Sequence, residues 1–156
     1  MKRLLSALFG IGAIAVLVVA VAAWGGERGK PQSKGGKTIT VIEHATTDAT
    51  TDTGAPGDSA GDVLTFANDV FDRTDTRKVG TDQGYCIRTV AATSYECNFT
   101  TLLADGGLVV EGPFYDARDS VLAITGGTGR YRNARGTMEL HAQEGGNFMF
   151  VFHIIG

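Results

Sequence analysis

The sequence predicts an all-β domain, an eight-stranded antiparallel up-and-down β-barrel, behind an N-terminal signal or anchor segment. Three observations carry this. Beyond Lys37 the apolar residues fall in short runs rich in β-branched and aromatic side chains. Turn signals such as Asp105-Gly106-Gly107 and Glu144-Gly145-Gly146 separate those runs at intervals of about 8–12 residues, the rhythm of an antiparallel meander. No helical periodicity appears after the N-terminal segment. A barrel is the economical closure because it leaves no strand edge exposed, with a β-sandwich as the alternative.

The chain begins with Met1-Lys2-Arg3 and the uncharged run Leu4–Ala23, a cationic start and an apolar stretch near the roughly 20 residues that span a bilayer. Residues 1–24 are therefore a signal peptide or a membrane anchor. Ala20-Val21-Ala22 and Val21-Ala22-Ala23 offer small residues for cleavage, and no cysteine directly follows the run to take a lipid. In both cases Lys2 and Arg3 hold the N-terminus inside and the domain lies outside the cytoplasm, secreted or attached to a membrane only through this segment. Residues 25–37, rich in Gly and Lys, form a flexible linker. The domain proper, residues 38–156, opens with the strand Thr38–His44. Ala45–Gly61 is a Thr/Asp/Gly loop, mobile on composition. Further strands are expected at Val63–Phe71, Tyr85–Ala91, Tyr95–Leu103, Leu108–Phe114, Val121–Thr125, Thr137–Ala142 and Phe148–Ile155.

Charge and motifs narrow the function classes. The net charge of −3 becomes more negative once Lys2 and Arg3 are removed, so nucleic acid is not an expected partner. Thr125-Gly126-Gly127-Thr128-Gly129 has the letters of a phosphate-cradling turn, but that turn needs a helix after it and an acid about 20 residues on, at the start of a parallel sheet. The remaining chain, Arg130–Gly156, reads as two more strands, so no nucleotide cofactor is expected, nor any other. His44, His141 and His153 share no metal-ligand spacing, and no metal site is expected. Cys86 and Cys97 flank a hairpin turning near Ala91-Ala92, which sets them opposite each other on one face. They form either a cross-strand disulfide or two buried thiols. Arg88, on the inward face with Cys86, needs a carboxylate partner, and Glu96 or Glu111 is expected to supply it. An eight-stranded barrel is just wide enough to be filled by side chains or to hold one small ligand, and alternation along Tyr95–Leu103 fits both.

Four segments in order, Gly61-Asp62-Val63-Leu64-Thr65-Phe66-Ala67-Asn68, Val79-Gly80-Thr81-Asp82-Gln83-Gly84-Tyr85-Cys86, Val110-Glu111-Gly112-Pro113-Phe114 and Asp119-Ser120-Val121-Leu122-Ala123-Ile124-Thr125-Gly126-Gly127, resemble the allene oxide cyclases. Gly126–Gly136 resembles the related dirigent proteins. The resemblance runs from about Val41 to the C-terminus. It implies an eight-stranded barrel, commonly a trimer, with an apolar pocket at one mouth for a small lipophilic molecule. In the cyclases that pocket folds an unstable fatty-acid epoxide into the geometry that closes to a cyclopentenone. By resemblance Glu43 is the carboxylate that promotes epoxide opening, Asn68 helps hold a water at the epoxide oxygen, Cys86 is the pocket cysteine and Phe66 a pocket phenylalanine. Phe114 stands where the family has a tyrosine, and Ala45 where it has a second water-holding asparagine. Asp116 and Arg118 lie near the ligand-binding Asp and Arg of dirigent proteins, about two residues out of register.

Three functions remain open on the sequence: an exported isomerase or cyclase acting on a lipophilic epoxide or a related molecule, a noncatalytic dirigent-like protein that orients a reactive small molecule, and a structural surface barrel.

Overall fold

The computed structural model describes residues 36–155; the signal or anchor segment and nearly all of the linker lie outside the described residues. The strands are β1 (Lys37–His44), β2 (Ala49–Thr51), β3 (Val63–Asp72), β4 (Lys78–Val90), β5 (Ser94–Leu103), β6 (Gly106–Tyr115), β7 (Ser120–Gly127), β8 (Arg135–Ala142) and β9 (Asn147–Ile155). From β3 to β9 each strand pairs antiparallel with the next, and β1 pairs with both β9 and β3, closing an eight-stranded barrel. The three-residue β2 lies outside that circuit, against the start of β3.

Side chains alternate in and out as the pleat requires. On β5, Cys97, Phe99 and Thr101 are buried while Glu96 and Leu102 are exposed. The half of the barrel near the start of β1 is solid: Val70, Leu108, Val110, Met138 and Phe152 are 0% exposed. The glycine run is the end of β7 and a turn. The chain enters a short 3-10 segment, Gly129–Tyr131, and returns antiparallel as β8, with Tyr131 and Ala134 buried at that end. The parallel unit that a nucleotide site needs is not formed there.

Two expectations change. β4 begins at Lys78, well before Tyr85; its first part pairs with β3, with a register shift at Val79, and from Gly80 onward with β5. Gly84 there sits in register between Phe66 and Phe99, whose rings meet edge to face at 5.7 Å. A Cβ on Gly84 would lie 2.3 Å from the Phe99 Cβ. Gly84→Ala should therefore lower stability by about 1–3 kcal/mol through overpacking, read as a lower urea midpoint at unchanged slope.

The second change concerns Ala45–Gly61, which is tied down instead of loose. The buried Asp62 accepts hydrogen bonds from the Thr53 and Ser59 amides at 3.0 and 2.8 Å. These bonds, that from Thr53 first, hold its carboxyl below the usual range. Asp52 accepts from the Gly57 amide, and β2 adds its own pairing. Composition hid this because the organising carboxylate lies just past the loop.

Candidate pocket at the barrel mouth

The other end of the barrel opens into a cavity of about 670 Å³, a volume suited to a small molecule. Its walls come from inward positions of neighbouring strands: Leu64 and Phe66 on β3, Cys86 on β4, Cys97 and Phe99 on β5, and Phe148 and Phe150 on β9. The aromatic rings pack on one another; Phe99 meets Phe150 at 5.7 Å, and Phe114 meets Phe148 edge to face at 5.8 Å.

Glu43, near the end of β1, is 5% exposed and contributes its carboxyl to this apolar wall. Asn68 on β3 donates from Nδ2 to Glu43 Oε1 at 2.9 Å and to Asp48 Oδ1 at 2.8 Å. Asn68 Oδ1 accepts from the Thr46 and Thr47 amides and from the Thr47 hydroxyl. Its amide is thus fully engaged, and at 1% exposure it stands behind the cavity wall. The resemblance implies that Asn68 helps hold a water at the epoxide oxygen; in the structure its Nδ2 donates to Glu43 and Asp48. Burial pushes the Glu43 carboxyl up to about 8, helped by the nearby charges of Asp82 and Asp48 and opposed by the Asn68 bond. At neutral pH Glu43 is an acid with a proton to give, where the sequence suggests a charged carboxylate. With Oε1 taken by Asn68, Oε2 makes no hydrogen bond to the protein among the described residues.

A residue that sequence reading did not single out lies close by. Asp82 on β4 is 0% exposed. Its Oδ1 accepts from the Thr101 hydroxyl at 2.6 Å, while its buried Oδ2 has no partner among the described residues. Burial raises this carboxyl to about 7, against the pull of the Thr101 bond. The signal was present: counting back by twos from Cys86 along one face gives Gly84 and then Asp82.

Cys86 and Cys97, directly paired across β4 and β5, form a disulfide. The expectation of a pocket thiol at Cys86 is corrected on that ground, because a bridged sulfur presents no S–H and no thiolate to a ligand.

The rim is polar. Arg88, 8% exposed, reaches both carboxylate oxygens of Asp116 through Nη1, at 2.9 and 2.7 Å. Its Nε is in ion-pair contact with Asp58 at 2.7 Å, without hydrogen-bond alignment. Its guanidinium lies 3.6 Å from the Tyr95 ring centre. The expected partners Glu96 and Glu111 are both on the outer face; Glu111 takes the Asn98 amide instead. Asp116 is therefore a partner of Arg88, and Arg118 stacks separately over Tyr115 at 3.7 Å.

The sequence model of the family described as allene oxide cyclase barrel like domain matches residues 40–148. The chain belongs to this family. Among solved structures this allene oxide cyclase-like barrel is similar to a pyocyanin demethylase, with 25% identity and a TM-score of 0.67 over 76% of this chain and 99% of that one. It shares its fold with an exo-specific intermolecular Diels-Alderase, at 13% identity and a TM-score of 0.63 over 78% and 98% of the two chains. It shares it also with a pterocarpan synthase dirigent protein, at 17% identity and 0.60 over 80% and 99%. Within the allene oxide cyclase-like barrel, Glu43, Phe66, Phe114 and the Cys86 sulfur share one cavity, with Asp116 and Arg118 at its rim and Asn68 behind Glu43.

Proposed function

We propose that this allene oxide cyclase-like barrel is an exported cyclase or isomerase that takes a lipophilic epoxide, or a related small molecule, into its mouth. The observation that carries this is a proton-bearing carboxyl set into an aromatic-walled cavity. The apolar part of the substrate displaces water from the Phe rings, and Glu43 Oε2–H bonds to the epoxide oxygen. As the C–O bond breaks, its electron pair goes to that oxygen, which takes the Glu43 proton. The cation left on the carbon chain faces the negative faces of the aromatic rings. The walls hold the chain in the conformation that closes the new C–C bond, an entropic advantage that needs few reacting groups. Loss of the proton from oxygen back to the Glu43 carboxylate completes an isomerisation with no net exchange of protons or electrons. The cationic start and the apolar N-terminal run support export. Association as a homotrimer belongs to the same reading, and the exposed Tyr85, Ile87 and Val90 on β4 supply apolar outer surface for it.

A second reading, a dirigent-like protein that orients a reactive molecule without reacting, is favoured by the engagement of Asn68, Arg88 and Asp116 with protein partners. The open cavity weighs against a purely structural barrel. Incubation with a synthetic allene oxide, an epoxide with one vinylic carbon conjugated to a second C=C bond, followed by chiral analysis, tests the cyclase. One enantiomer of the cyclopentenone, formed faster than the spontaneous product, is expected. A racemic product at the spontaneous rate, with the compound retained in native mass spectra, transfers the protein to the second reading.

A further inference from the structure

We propose that Asp82 is a positioning residue that keeps the proton on Glu43: of these two inward carboxyls only one is charged at a time, and Asp82 carries that charge. The inference rests on the reading of Glu43 as an acid. Asp82 stands opposite Asn68 in the β3–β4 register, and Asn68 is the residue bonded to Glu43, so one asparagine relates the positions of two buried carboxyls. Their hydrogen bonds divide the roles. The Thr101 hydroxyl at 2.6 Å favours charge on Asp82. Asn68 divides its Nδ2 between Glu43 and Asp48, and Glu43, a cavity-lining residue, has Oε2 left without a protein hydrogen bond among the described residues.

Among the described residues the surroundings supply no cation to relieve the pair. Facing Glu43 are Asp48 from the segment after β1, Asn68 from β3 and Asp82 from β4, with Thr101 behind from β5. The charged groups of the mouth are mostly matched: Arg88 is held by Asp58 and Asp116, and Asp119 by His141, which also meets Glu139. Arg118, the remaining rim cation, is exposed and stacked on Tyr115. Two adjacent buried carboxyls without a cation lose their protons in separate steps. An unpartnered Asp82 Oδ2 is costly for packing alone; it gains a purpose if its charge serves the neighbouring acid.

The test is a carbon-13 NMR titration of the full chain labelled at glutamate side-chain carboxyls, with Glu43→Gln used only to assign the Glu43 signal. In the unaltered protein Glu43 should titrate near 8. Asp82→Asn, which keeps the shape and the Thr101 bond, should move that midpoint down by about one pH unit or more, because a like charge has gone. Thr101→Val should move it the same way, since Asp82 without its donor stays neutral; it decides the matter if Asp82→Asn does not fold. A midpoint near 8 that neither variant moves overturns the role of Asp82 and leaves the acid reading intact. A midpoint in the ordinary carboxylate range in the unaltered protein overturns both.

Discussion

Glu43→Gln is expected to lower turnover by about 10²–10⁴-fold, the usual contribution of a positioned general acid, and to leave ligand affinity within a few-fold. The same substitution should make the barrel more stable in alkali. In the unfolded chain Glu43 ionises near 4.5, whereas in the barrel it keeps its proton to about 8. Between those values the folded state binds more protons than the unfolded one, so stability falls as pH rises through this window and is lowest above it. A glutamine accepts the Asn68 hydrogen bond through its amide oxygen and never ionises. The variant should thus match the parent near pH 4 and exceed it by about 1–3 kcal/mol at pH 9, a discounted share of the shift. Thermal unfolding at pH 4, 7 and 9 beside the turnover assay checks this. A variant that is inactive and equally stable at every pH contradicts the buried acid, and one that keeps full turnover contradicts the mechanism.

Replacing both cysteines, Cys86→Ala with Cys97→Ala, should cost about 3 kcal/mol of stability. The bridge closes a loop of 11 residues in sequence separation, for which the chain-entropy model gives that size of effect. Alanine is chosen so that no hydroxyl is left unpaired against Phe66 and Phe99. The variant should still fold, because the paired strands and the aromatic core remain, but its urea midpoint should drop and the cavity wall should widen where two sulfurs are missing. Denaturing intact mass without reductant should show the parent lighter by two hydrogens than its reduced form. Two alkylatable thiols in the unreduced protein would remove the bridge and return a thiol to the pocket.

The strands are legible in the sequence because most present an apolar residue at every second position; the expected bounds of β5, β6, β7, β8 and β9 each agree with the structure to within two residues at either end. The start of β4 is not legible, since its inward positions are Gly80, Asp82 and Gly84, the opposite of an apolar face. Small and polar residues are tolerated there only because Phe66 and Phe99 fill the space from adjacent strands, a fact of the closed barrel invisible along one segment. The same blind spot hid Asp82. The resemblance brought Glu43 and Phe66 to the cavity, but it could not give the protonation state of Glu43, which depends on how many carboxyls share the site and on what charge stands beside them. Arg88 showed its need for a partner; which carboxylates would answer was set by the folded segment at Asp58 and the turn at Asp116, neither on a strand beside it in sequence.

The solid half of the barrel has a kinetic consequence. With Val70, Leu108, Met138 and Phe152 filling one end, the described residues leave the cavity open at the other, and in the proposed cyclase the product goes out by the way the next substrate comes in. Product and substrate then compete for the same mouth, so product inhibition should be strictly competitive. Where the rings grip the closed product as well as the open chain, departure and not bond formation sets the pace of the cycle.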